Sequence, residues 1–150
     1  MRIAFASDHA AVALKAVLAD WARSQGHDVT DLGPHDETSV DYPDYGYRLA
    51  AHVADGKAEC GVAICGSGIG ISIAVNRNPA CRCALVSDNL SARLSREHND
   101  ANVIAFGARL IGVDTARDCL AAFLDTPFGG GRHVGRVEKL GQPEIAKEHA

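Results

Sequence analysis

Three runs in this chain, RIAFAS at 2–7, GVAIC at 61–65 and NVIAF at 102–106, are apolar at almost every position. A strand with one face in water alternates apolar and polar residues. One that is apolar throughout must be covered on both faces, as in a parallel sheet held between helices. Two further β-type runs, at 28–32 and 82–86, bring the expected strands to five. Helical patterns fill the gaps, at 11–25, 44–54, 71–76, 89–98 and 115–124. In the first, Leu14, Val17, Leu18 and Trp21 share a face, and Gly26 stands where a left-handed C-terminal cap belongs. Asp114 is placed to cap the last. The alternation predicts an α/β fold built on a parallel sheet, and 150 residues suit a single domain.

A net charge of −4 argues against broad attraction to nucleic acid or anionic lipid, while leaving room for a local basic site. No apolar run approaches the ~20 residues of a membrane span. The opening MRIAFASDHA is interrupted by Asp8 and His9 before a signal-peptide core can form, so a cytoplasmic protein is expected. Cys60, Cys65, Cys81, Cys83 and Cys119 make an odd count with no CxxC pair, which predicts reduced thiols. Cys81-x-Cys83 has no second ligand pair at finger-like spacing, so no metal site is expected. The tail GQPEIAKEHA reads as a solvated helix or frayed end.

Ligands of an open parallel sheet gather beyond the carboxyl ends of its strands. The residues there are Asp8 and His9, Cys65 with the loop GSGIG, Ser87 with Asp88, and Gly107 with Arg109. Gly66-Ser67-Gly68-Ile69-Gly70 exposes backbone amides without side-chain obstruction and reads as an anion cradle. It lacks the Walker lysine and departs from the dinucleotide spacing G-x-G-x-x-G, so the residues alone leave it between a ligand loop and a tight turn. Cys65 is open to two readings: a base among amides, or a small buried hydrophobe. In SREHND, His98 at a helix C-terminus suits an acid that opens a sugar ring, or it is a solvated cap. Arg132 and Arg136, four apart, form either a phosphate clamp or an ordinary charged surface.

Taken in order, SDHA, DYP at 41–43, ICGSGIGISIAVNR, SREHNDANVIAFGAR and GGGRHVGRV resemble the type B ribose-5-phosphate isomerases, a family that also includes allose- and galactose-6-phosphate isomerases. The resemblance spans Met1 to about Leu140. It implies a Rossmann-like three-layer α/β/α fold with a five-stranded parallel sheet, and interconversion of ribose 5-phosphate and ribulose 5-phosphate through an enediolate, with no metal or organic cofactor. It also implies a homodimer or tetramer whose sites use both subunits, with the segment from about residue 132 helical and at subunit contacts. By motif position, Cys65 corresponds to the carbon-acid base and residues 66–70, Ile69 included, to the enediolate cradle, with Ser67 bonding substrate oxygens. His98 corresponds to the ring opener, Asp8 to its proton partner and Asn99 to a substrate contact. His9, Arg109, Arg132 and Arg136 correspond to the phosphate site, and Tyr42 to the pocket wall. Some relatives carry a glutamate base where this chain has Ile71, which leaves Cys65 as its base.

Two other readings compete. A hexose 6-phosphate isomerase would use the same machinery. A non-catalytic nucleotide- or anion-binding module would use GSGIG and the arginines but has no need of Cys65, His98 and Asp8 together.

Overall fold

A computed structural model describes residues 1–144. Strand β1 (Arg2–Ser7) leads through a 3-10 turn (His9–Ala11) into helix α1 (Val12–Ser24). Then come β2 (Asp28–Asp31), α2 (Tyr42–Ala54), β3 (Cys60–Cys65), α3 (Ile69–Val75) and β4 (Cys83–Leu85). The chain continues through α4 (Asn89–Glu97), β5 (Val103–Gly107), α5 (Val113–Asp125), a 3-10 turn (Gly131–His133) and α6 (Val134–Leu140). The expected tail structure falls largely on residues 145–150, outside the described residues.

All five strands are parallel, in the order β2-β1-β3-β5-β4. Every residue of β3 and β5 is buried, as continuous apolarity predicts for central strands, whereas the edge strand β2 alternates. Right-handed crossovers send α1, α4 and α5 to one face and α2 and α3 to the other. Two cores result. One packs Phe5, Leu18, Ile64, Phe106 and Leu120, and the other Ala4, Leu49, Ala63, Ile71 and Val75.

Helix α1 ends as expected: Gly26, at φ +87°, donates to Arg23 O, and His27 donates to Ala22 O. Its buried face differs from the expected one. Leu14 and Leu18 are buried, but Val17 is 38% exposed and Lys15 lies inside instead. Helix α5 is capped by Gly112, which leaves Asp114 in its first turn rather than at its cap. Helix α2 starts at Tyr42, earlier than expected, with Pro43 in its first turn, where the missing N–H is no loss.

Candidate active site

The direction in which successive strands are added reverses between β1 and β3, the place where an open parallel sheet receives ligands beyond its carboxyl ends. Asp8 follows β1. Its amide donates to Ile64 O (3.1 Å), which continues the ladder, and its Oδ1 accepts from Ala10 N (2.9 Å), capping the 3-10 turn. Cys65 closes β3, only 4% exposed, and its sulfur accepts from the Gly68 amide at 3.1 Å. That bond suits a thiolate, an anion that a backbone N–H aims at without needing a charged neighbour.

The loop after Cys65 runs close against its neighbours, and at Gly68 only glycine fits. Gly68 adopts φ +75°, and a Cβ there would lie 2.7 Å from Phe106 C and 2.8 Å from Phe106 O. At Gly70 a Cβ would lie 2.6 Å from the Tyr42 ring, so Tyr42 covers the loop. The Arg109 guanidinium sits over Gly66, whose Cβ would be 3.2 Å from Nη1. Backbone bonds from Ala108 N to Cys65 O (2.9 Å) and Arg109 N to Gly66 O (3.0 Å) lock the loop to the end of β5. Ser67 Oγ accepts from Ile69 N at 3.2 Å. His9 is held by the loop after β2: Val40 N donates to its Nδ1 (3.1 Å), with Val40 O 3.2 Å from the same nitrogen. Asp8, His9, Tyr42, Cys65, residues 66–70 and Arg109 thus meet at one end of the sheet.

His98, Asn99, Arg132 and Arg136 meet elsewhere. They line a hollow of about 350 Å³ with His133, Val137 and Leu140. The His98 and His133 rings stack at 4.5 Å, 18° from parallel. Lost hydration, then the charges of His98, Arg132 and Arg136, hold the His133 pKa below its ordinary value. Because α4 runs back against the strands, its C-terminal residue His98 lies at the amino end of β5. Cys65 pairs with Gly107 at the other end. Five residues of strand separate the two levels, about 13 Å. Within one chain, His98 therefore stays away from Cys65.

A family profile described as Ribose/Galactose Isomerase matches residues 3–140. The chain belongs to that family. It is an isomerase, and the type B resemblance read from its motifs holds. Ribose-5-phosphate isomerase B of Escherichia coli is 41% identical over 139 residues, covering 93% of each chain. The D-erythrulose-4-phosphate isomerase of Pectobacterium atrosepticum is 40% identical over 99% of each. The solved ribose-5-phosphate isomerase B of Clostridium thermocellum superposes with a TM-score of 0.94 at 45% identity, covering 100% of both chains. The expected three-layer α/β/α fold is the fold of this family.

Burial pushes the Cys60 thiol up to about 12 and the Cys119 thiol up to about 11, which marks both as inert core residues. Among the described residues no group of three or more His, Cys, Asp or Glu is placed to hold a metal ion, and no helix is long and apolar enough to cross a membrane. Sequence reasoning gave no role to His133, although its place in GRHVGR beside the two arginines was a usable signal. It also gave no role to Lys15, which the structure buries.

Proposed function

We propose that this protein interconverts D-ribose 5-phosphate and D-ribulose 5-phosphate as a single-domain cytoplasmic homodimer, with each active site built from two copies. The observation that carries the reading is the Cys65 sulfur, held by the Gly68 amide at the end of β3, with buried Asp8 at the end of the neighbouring strand β1. His98 of the second copy protonates the ring oxygen while Asp8 takes the proton of the anomeric hydroxyl, which opens the sugar. The Cys65 thiolate then removes the proton from C2. The electron pair of that C–H bond forms the C1–C2 double bond, and the carbonyl oxygen becomes an enediolate oxygen facing the amides of residues 66–70. Transfer of the hydroxyl proton from O2 to O1 and return of the Cys65 proton to C1 give the ketose. Ser67 and Asn99 bond the sugar oxygens, and Tyr42 walls the pocket.

His9 and Arg109, with Arg132 and Arg136 of the second copy, hold the phosphate, whose binding energy positions the reacting carbons. Two features support the shared site. His98 and Cys65 lie at opposite ends of one chain's sheet, and Ile69, Ile73, Leu85 and Leu140 remain 43–54% exposed. The segment at 131–140 would then lie at the contact. The existence of a relative named for a four-carbon substrate widens the panel to be tried.

The test is turnover of ribose 5-phosphate beside allose 6-phosphate, galactose 6-phosphate and erythrulose 4-phosphate, with Cys65→Ala as control. Pentose preference that depends on Cys65 supports the assignment, and activity retained in the variant refutes the base. Mixing inactive Cys65→Ala with inactive His98→Asn tests the sharing. In a mixed dimer one site carries both lesions and the other neither, so random exchange restores about a quarter of the sites. Absence of any recovery after verified exchange argues for sites complete within one chain.

A further inference from the structure

A lysine on an amphipathic helix ordinarily extends its ammonium into water. Lys15 does the reverse. It is 1% exposed, and its Nζ donates to Asp31 Oδ1 and to Pro34 O, both at 2.6 Å. Burying an ion pair is seldom a gain over packed apolar side chains, so stability alone gives poor reason for a charge at this position of α1. What the pair fixes is a place. Asp31 Oδ1 also accepts from Gly33 N (2.9 Å), Gly33 O accepts from Ser7 N (3.1 Å), and Arg48 Nη1 donates to Leu32 O (3.2 Å). The start of the loop after β2 is thereby tied to α1, β1 and α2 together.

The far end of the same loop holds His9. Its Nδ1 lies 3.1 Å from Val40 N, which donates to it, and 3.2 Å from Val40 O, so the Val40 backbone fixes the plane and direction of the ring. With Nδ1 accepting from Val40 N, the ring hydrogen sits on Nε2, which is turned outward as a donor. We propose that Lys15 and Asp31 are positioning residues for the phosphate end of the site: they anchor the 32–41 loop so that Val40 holds the His9 ring oriented as a donor to the substrate phosphate. This rests on the assignment of His9 to the phosphate.

The experiment compares wild type, His9→Ala, Lys15→Met and the double variant, measuring kcat and KM for ribose 5-phosphate and, without turnover, the thermal shift produced by inorganic phosphate. Lys15→Met is expected to raise KM and weaken phosphate binding about tenfold, the loss of roughly one charge-assisted hydrogen bond, with kcat within about twofold. In the double variant the two losses should not add, because both remove the same contact. A lowered melting temperature with KM and phosphate binding unchanged would make Lys15 merely structural and overturn the proposal, as would additive losses. If His9→Ala leaves phosphate binding intact, the His9 assignment fails and the proposal with it. Wild type that binds phosphate without turning over any sugar phosphate faults the isomerase reading instead. Should Lys15→Met not fold, Val40→Pro removes the amide hydrogen from His9 without touching the buried pair. It is expected to raise KM similarly, and an unchanged KM refutes the strap.

Discussion

Replacing Gly68 and Gly70 by alanine, one at a time, separates the two ways this loop excludes side chains. At Gly68 the obstacle is backbone: the new Cβ would lie 2.7 Å and 2.8 Å from Phe106 C and O, in a residue at φ +75°. Left-handed backbone adds roughly 1–2 kcal/mol for a residue with a Cβ, and overpacking against atoms that cannot yield adds roughly 1–3 kcal/mol. A loss of about 3 kcal/mol follows, or about 6–12 °C in melting temperature for a chain of this size. At Gly70 the obstacle is the Tyr42 ring, 2.6 Å away, but that residue is 43% exposed and can swing outward. Alanine within α3 itself gains about 0.5–1 kcal/mol over glycine, so Gly70→Ala should be near neutral in stability. Its effect should fall on turnover, because the ring that covers the cradle is displaced. Thermal melts at one protein concentration, with steady-state kinetics alongside, decide it. Gly68→Ala as stable as wild type would refute the steric argument, and so would Gly70→Ala with unaltered kinetics.

Cys65→Ser should keep the fold and lose about 10²–10⁴ in kcat, the usual worth of a positioned base, with KM little changed; stopped assays over a range of substrate concentration check this. Because the His133 pKa is depressed, the folded protein binds fewer protons than the unfolded chain between that lowered value and the ordinary ~6.5. Stability from this residue therefore rises with pH through that window and is lost on acidification. Melting temperatures between about pH 7.5 and about pH 5.5 should fall less steeply in His133→Gln than in wild type. Iodoacetamide at mildly alkaline pH should leave Cys60 and Cys119 unmodified in the native protein, as peptide mass spectrometry would show, since burial keeps both thiols protonated.

The strands were legible because β1, β3 and β5 are covered on both faces, and nothing but apolar residues satisfies that. Helix α1 was legible as a helix and misread in its rotation. Lys15 faces inward because Asp31 and Pro34, on other elements, supply its partners, and no count of apolar spacing registers a partner from elsewhere in the chain. Asp114 was passed over as a cap because the backbone has already turned at Gly112. Asp8, Cys65 and Arg109 could be found from the rule that strand ends carry ligands. The distance of His98 from Cys65 could not be read from motif order, since it follows from α4 running back to the opposite end of the sheet. The His98–His133 stack joins two segments that only the folded chain brings together.

Asp8, Cys65 and Gly66 are set by backbone bonds that extend the central ladders, while Arg132 and Arg136 ride on short elements with no buried residue. On the proposed assignment, the two halves of the site therefore have unequal freedom to change over evolutionary time. A substitution in 131–140 would shift the proposed anion anchor without disturbing any core contact of its own chain, whereas one in the 66–70 loop disturbs the sheet. Selection for a sugar one carbon longer or shorter would find its accessible variation in the terminal segment, and the proton-transfer apparatus would be inherited unaltered.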